Sequence, residues 1–409
     1  MTGLVLVVFA AVYLGMAVGR WPGLKVDRTG IALLGAILLY GSGAIGGPAV
    51  LAAIDFPTLI VLFGLMILSA QFAACGFYDW CSARIATTEV PPAALLALTV
   101  ATAGILAAVL ANDVVVFAMT PMLCAGLVRR GLDPRPFVIA LVGGANAGSA
   151  ATIIGNPQNI LIGEVGRLDF WPFLAACAPP ALAALACVFL VVWWRWRTRL
   201  IAPAGPAGRS TPPALDRPGL AKAAFATLLL LVLFATPLPH VTGVLVVAGY
   251  LLISRRLATR TMLGLVDWHL LVLFGGLFVV TAALADTGLP DTALVWLEAE
   301  GLRAESLAVL APLALIGANT IGNVPLVVLL LSVMPAMSEG AFYALAVLST
   351  LAGNLLVIGS LANIIAVERA REVGVQLSFV EHARCGVPMT LASFLLALAW
   401  LYGAGYAAP

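Results

Sequence analysis

Two strongly apolar stretches of this chain are broken by polar residues where a membrane-crossing helix is ordinarily most apolar, and few folds accommodate that. The first, from Ala93 to Val128, is interrupted at Ala111-Asn112-Asp113, and Asp113 is the only charged residue between Pro91 and Val128. The second, from Pro136 to Ile162, is interrupted by Gly148-Ser149-Ala150-Ala151-Thr152-Ile153-Ile154-Gly155-Asn156-Pro157-Gln158-Asn159. Polar or irregular backbone at membrane depth is tolerated only where it is buried in protein or lines a cavity. These interruptions therefore mark the candidate functional centre.

The rest of the composition agrees with a bilayer as solvent. A chain of 409 residues that is 62% hydrophobic and 10% charged lies far from the balance of soluble domains. The fold class expected is an all-α polytopic membrane protein, with the lipid bilayer as partner and no nucleic acid. Leu4 to Val18 has no basic residue before it and is followed by Arg20, Lys25 and Arg28, so it reads as a first span and not as a signal segment. The six cysteines include no C-x-x-C pair and read as small buried thiols.

About twenty apolar residues cross a bilayer as a helix. On that ruler the first half contains Thr2 to Gly19, Thr29 to Ile54, Phe56 to Gly76, the interrupted pair Ala93 to Val128, the broken segment Pro136 to Ile162, and Trp171 to Trp194. The second contains Leu220 to Ala235, Val241 to Ile253, Trp268 to Ala285, a second interrupted pair Leu307 to Pro335, a broken segment Ala341 to Val367, and Cys385 to Tyr402. The order repeats. Asp55, Gly64 and Gly76 correspond to Asp267, Gly276 and Gly288 at one spacing, Asn112 falls opposite Asn323, and Gly155-x-x-x-Asn159 matches Gly359-x-x-x-Asn363. The chain reads as a first transmembrane repeat (1–194), a Pro/Gly/Arg linker (195–219) and a second repeat (220–409).

Basic residues decide which loops stay in the cytoplasm. With 195–219 inside, Arg167 and Arg303 alone face outward, leaving 19 of the 21 Lys and Arg on the cytoplasmic side. Each repeat then has five crossings, one re-entrant hairpin and one broken helix, for about ten membrane helices and two hairpins, and the odd number inverts the second repeat. Both termini are expected outside, in a bacterial-type inner membrane. A pair of full spans meeting at Asn112-Asp113 would return to the same side as a hairpin. The hairpin is favoured because the turn lacks an interfacial Trp, Tyr, Lys or Arg.

Inverted repeats with matching interruptions are the sequence pointer to a secondary transporter with its site at the repeat interface. The candidate substrate- and ion-binding residues are Asn112, Asp113, Ser149, Thr152, Gly155, Asn156, Pro157, Asn159, Asn323, Gly359, Ser360 and Asn363. A charge at Asp113 costs roughly 2.5 to 3.5 kcal/mol to insert, so it pairs, binds a cation or takes up a proton, unless it is a turn residue beside water. Carbonyls freed near Pro157 suit sodium, with candidate sites near Asn112, Asn156, Asn323 and Asn363, while N–H groups at half-helix starts suit an anion. The plainer alternative for each amide is hydrogen-bonded glue between helices. His240, His269 and His382 fall in or beside loops, and without a deep nucleophile and base an intramembrane enzyme is a weak competitor.

At these residues the chain resembles the Ion Transporter superfamily, in its ArsB-like and CitM-like, citrate-transporter-like branches near uncharacterised arsenite-permease-like proteins. The resemblance rests on Ala111-Asn112-Asp113, the run Gly148 to Asn159, Gly322-Asn323-Val324-Pro325, Gly353-Asn354-Leu355 and Ile358-Gly359-Ser360-x-x-Asn363. It implies an elevator-type carrier in which Asn112, Asp113 and Asn323 are hairpin-tip residues and Gly155 to Asn159 and Gly359 to Asn363 are helix-break residues. The tips depart from the Ser-Asn-Thr of the sodium/dicarboxylate branch, which points away from di- and tricarboxylates. The expected function is a non-enzymatic permease for a small anion or arsenite-like metalloid, with no cofactor beyond H+ or Na+ as coupling ion. A sodium/proton antiporter of the same superfamily is the alternative, and a homodimer is left open.

Overall fold

The computed structural model describes residues 1–19, 21, 23–200 and 214–408, so 201–213 of the linker, with Arg209, and Arg20 of the first basic loop lie outside the described residues. The first half forms α1 (Thr2–Val18), α2 (Arg28–Gly41), α3 (Gly47–Ala53), α4 (Phe56–Ala74), α5 (Phe77–Thr87), α6 (Pro92–Val109), α7 (Asn112–Arg129), α8 (Arg135–Ser149), α9 (Pro157–Val165) and α10 (Phe170–Trp196). The second forms α11 (Arg217–Phe234), α12 (His240–Leu252), α13 (Thr259–Gly264), α14 (Trp268–Ala285), α15 (Leu289–Ala299), α16 (Leu307–Ile321), α17 (Asn323–Val333), α18 (Glu339–Ala352), α19 (Leu361–Glu372) and α20 (Phe379–Gly403), with one short 3-10 turn, Val357–Gly359, before α19.

The halves correspond helix for helix, and α4 and α14 start with the same cap. Asp55 accepts a hydrogen bond from Thr58 N at 3.0 Å to start α4, and Asp267 accepts one from Leu270 N at 3.0 Å to start α14. An Asp at this position satisfies one of the amides that a helix start leaves unpaired. Both helices are followed by a glycine in the left-handed region, Gly76 (φ 76°) and Gly288 (φ 71°), where a Cβ would be strained. There the chain turns into α5 and α15.

Seven helices among the described residues are long and apolar enough to cross a membrane: α4, α6, α7, α10, α11, α14 and α20. Leu14, Ile37, Ile105, Leu182, Leu228 and Leu395 are exposed, as expected of a surface that meets lipid tails. The centre belongs to α8 and α18, in which every residue from Pro136 to Ser149 and from Ala341 to Ala352 is buried. α8 gains its close seat on α6 through Gly148, where a Cβ would strike the Gly104 backbone.

Neighbours are exchanged between the halves. α2 packs on α14 while α12 packs on α4, and the returning hairpin arms cross over too, α7 onto α19 and α17 onto α9. His240 Nδ1 and Glu164 Oε1, 3.0 Å apart, join the start of α12 to the end of α9.

Three boundaries differ from the sequence reading. Thr29 to Ile54 is not one span, because α2 stops at Gly41 and Gly43 (φ 72°) redirects the chain into α3. α5 and α15, of 11 residues each, were too short and too mixed in polarity to read as crossings. The linker is shorter than 195–219, since α10 continues to Trp196 and α11 already begins at Arg217.

Candidate functional site

The break in the first half lies between Ser149 and Pro157, and its geometry is set by side chains of the break itself. Asn156 caps α9, its Oδ1 accepting from Asn159 N at 2.8 Å, and Pro157 takes the first helical position, where a missing N–H costs nothing. Pro157 therefore starts a helix and does not kink one. Asn159 Nδ2 donates to Ser149 O (3.2 Å) and Thr152 O (3.0 Å), tying α9 back to the end of α8.

The second break repeats this at a constant spacing. Asn363 Nδ2 donates to Gly353 O (2.7 Å) and Leu356 O (2.9 Å). Asn159 and Asn363 differ by 204 positions (363 − 159), as do Ser149 and Gly353 (353 − 149) and Thr152 and Leu356 (356 − 152). One hydrogen-bonding device thus closes both breaks.

The breaks are joined by two residues that the sequence reading missed, Asn146 and Thr350, which share that spacing (350 − 146 = 204). Asn146 Nδ2 donates to Asn363 Oδ1 (3.0 Å) and Asn354 Oδ1 (2.9 Å), while its Oδ1 accepts from Ser360 Oγ (3.2 Å) and Asn112 Nδ2 (3.1 Å). Reciprocally, Thr350 Oγ1 donates to Asn159 Oδ1 (3.3 Å) and accepts from Asn156 Nδ2 (3.2 Å) and Gln158 Nε2 (3.2 Å). Each half reaches into the other's break. The available signal for Asn146 was an amide inside Val142-Gly143-Gly144-Ala145-Asn146-Ala147-Gly148, and for Thr350 its place 204 residues later.

The first hairpin docks on its break through the backbone, Asn112 N donating to Gly155 O at 3.1 Å, and Thr152 Oγ1 donates to Ala108 O at 2.5 Å. The tip is thereby held against the break inside the bundle. The second hairpin docks differently. Asn319, one turn before the tip, donates to Ala352 O (2.9 Å) and accepts from Leu356 N (3.1 Å), with Gly359 packed against its side chain. Asn319 also escaped the sequence reading.

Eleven of the twelve candidate residues thus belong to the breaks or to the first hairpin tip docked on them: Asn112, Asp113, Ser149, Thr152, Gly155, Asn156, Pro157, Asn159, Gly359, Ser360 and Asn363, Gly359 being the packing surface for Asn319. Asn323 is buried, but among the described residues its Oδ1 accepts only from Val324 N (3.0 Å), the local bond that Asn112 makes to Asp113 N (2.9 Å). Among the described residues the half-buried Asp113 carboxylate accepts no hydrogen bond. His382, expected beside a loop, is buried in the first turn of α20 with Nε2 3.3 Å from Asn354 O, because that turn folds over the second break.

The centre contains amides and hydroxyls but neither Lys nor Arg. The starts of α7, α9 and α19 meet there, and helix starts carry partial positive charge suited to anions or electron-rich oxygens. Of the carbonyls that a sodium ion would use, Ser149 O already accepts from Asn156 and Asn159, Thr152 O from Asn159 and Gly155 N, and Leu356 O from Asn363 and Gly359 N, while among the described residues Gly353 O accepts from Asn363 alone and keeps a lone pair. Toward the end of α9 a cavity of about 280 Å³ opens beside α17, with Asp55, Thr281, Asp286 and Ser332 among its walls.

Residues 4–347 match the citrate transporter family (CitMHS). The inner membrane protein YbiR of Escherichia coli is 31% identical over 78% of this chain and 82% of its own length. The silicon efflux transporter LSI3 of Oryza sativa is 26% identical over 90% of this chain and 91% of its own. The crystal structure of the YdaH transporter from Alcanivorax borkumensis superposes with a TM-score of 0.58, covering 99% of this chain and 97% of that one at 13% identity, which is a likeness of fold.

Proposed function

The chain belongs to the citrate transporter family and is a membrane transporter, and from that premise we propose that it is a secondary active permease of the inner membrane for a small oxyanion or undissociated oxyacid of the arsenous or silicic acid kind. Protons or sodium drive it, and access alternates by elevator-type movement of the hairpins and breaks. The two repeats are inverted about the centre, with the linker between α10 and α11 in the cytoplasm and both termini outside.

The observation that carries this reading is the reciprocal pair of bonds Asn146 to Asn363 and Thr350 to Asn159. Two broken helices that hold each other by exchangeable amide bonds have their polar groups satisfied in the closed state. A solute with hydroxyl donors and oxygen acceptors can replace those partners without leaving any buried group unpaired. Full citrate charge is a poorer fit: the centre has no guanidinium or ammonium to balance three carboxylates, and Asp113 stands at its edge. The silicon substrate named for the rice relative has the neutral, hydroxyl-rich chemistry that suits such a site.

Flux into proteoliposomes, measured for arsenite, silicic acid, sulfate and citrate under imposed proton and sodium gradients, tests it. Gradient-driven accumulation of an oxyacid or oxyanion, abolished by the matching ionophore, is the expected result. Sodium/proton exchange with no oxyacid or oxyanion flux would establish the second reading, an antiporter, which the unengaged carboxylate of Asp113 favours.

A further inference from the structure

At the end of the bundle that carries the basic loops, α8, α10 and α20 meet in a cluster of arginines around one tryptophan. Arg135 lies over the Trp196 ring at 5.4 Å and Arg199 at 5.1 Å. Arg135 is neutralised, pairing with Asp133 at 2.7 Å and Glu381 at 2.6 Å. Burial opposes ionisation of Asp133, but bonds from Arg135 and the charge of Arg199 hold its carboxyl below the usual carboxylate range. It therefore remains an anion committed to that pair.

Beside this pair lies a cavity of about 80 Å³ lined by Arg195, Trp196, Thr198, Arg199, Glu381 and Arg384. Its one carboxylate is already occupied on both oxygens, Oε1 by Arg135 and Oε2 by Ser378 N and Oγ at the start of α20. Arg199 reaches Asp133 only at 3.6 Å, and Arg195 and Arg384 have no ion-pair partner among the described residues. The neighbouring stretch 201–213 contains no Asp or Glu, so it cannot supply the counter-charge. The cavity thus has up to three guanidinium groups and no free anion, in a space of roughly two to three waters at about 30 Å³ each.

Exposed Trp193 and Trp194 and exposed Leu190 on α10 place the cavity at headgroup level, since tryptophans gather where lipid tails meet water. Guanidinium forks match the paired oxygens of a phosphate, and basic pockets between membrane helices on the positively charged side take anionic headgroups. We propose that the cavity between the end of α10 and the start of α20 is a binding site for a phosphate group, held by Arg195, Arg199 and Arg384, with the headgroup of an anionic phospholipid as its occupant at the membrane surface. Filling it clamps the two helices that close the respective halves, next to the α8 start that leads to Asn146.

Native mass spectrometry of the full chain, extracted from nanodiscs of phosphatidylcholine mixed with phosphatidylglycerol or cardiolipin, tests this beside thermal unfolding in detergent with inorganic phosphate against chloride at equal ionic strength. Wild type should retain anionic lipid over phosphatidylcholine, and Arg195→Gln with Arg384→Gln should weaken that preference by roughly five-fold per arginine. Arg260→Gln, an exposed arginine elsewhere on the same side, should not. Protection by inorganic phosphate without lipid preference, lost in the double variant, would support the site and identify a soluble phosphate as its occupant. Equal retention of anionic lipid by wild type and double variant, with no phosphate effect in either, would overturn the proposal. Both arginines are exposed, so the double variant is expected to fold.

Discussion

Replacing Asn146 by alanine tests whether the two halves are held together through their breaks. The side chain is 1% exposed, and its loss removes four hydrogen bonds, to Asn112, Asn354, Ser360 and Asn363. Polar contacts between membrane helices average about 0.6 kcal/mol each, which sums to about 2.4 kcal/mol for four. Stranding a buried polar group costs about 1 to 3 kcal/mol in soluble proteins. That larger cost falls on Asn354 Oδ1 and Asn363 Oδ1, which lose their donor although their Nδ2 groups keep Gly143 O and Gly353 O. The expected destabilisation is therefore at least about 2 to 3 kcal/mol, read as a lowered midpoint of unfolding in mixed micelles. A double-mutant cycle with Ser360→Ala should show coupling, since the two side chains share a bond at 3.2 Å. An Asn146→Ala protein within about 0.5 kcal/mol of wild type, the range of a neutral surface change, would refute the idea that this amide joins the repeats.

Asp113→Asn should fold normally, because an amide is cheaper to bury than a carboxylate and no hydrogen bond to the carboxylate is lost; it should abolish gradient-driven accumulation in proteoliposomes, flatten the pH profile and leave exchange intact, and wild-type accumulation and pH profile would remove Asp113 from coupling. Asn159→Ala and Asn363→Ala should lower stability by similar amounts, within about 0.5 kcal/mol of each other, because both amides close their breaks by the same two bonds; a large difference in unfolding midpoints would show that the breaks are not equivalent. In whole cells, a single cysteine at Ala407 should react with an impermeant thiol reagent and one at Arg209 should not, and the opposite pattern would reverse the orientation argued from the 19 of 21 basic residues on one side.

Much of the fold was legible because a bilayer restricts what an apolar chain can do. Helices must run about twenty apolar residues, and every polar exception has to be accommodated, so Asn112-Asp113 and Gly148 to Asn159 stood out against Leu, Val and Ala. The paired landmarks Asp55/Asp267, Gly76/Gly288 and Asn159/Asn363 were legible for the same reason, each doing local work that a pattern reveals: a cap, a left-handed turn, a break. α5 and α15 were not legible, being too short to count as spans and too apolar to read as loops. Asn146 and Thr350 were passed over because each is one polar residue in a buried helix, where hydrogen-bonded glue is the ordinary reading.

The sequence by itself determined a helical membrane protein, its two-part organisation and the place of its interruptions, since those depend on hydrophobic length and on local backbone preference. Tertiary structure alone decided which polar groups meet. Asn146 finds Asn363, 217 positions away, only because α8 and α18 are buried side by side and each half's broken helix turns toward the other. Likewise Asn112 reaches the centre while Asn323, its counterpart by position, bonds only its own tip among the described residues, because the second hairpin docks through Asn319. Side-chain partners across two hundred residues depend on how helices pack, and neither composition nor periodicity encodes that.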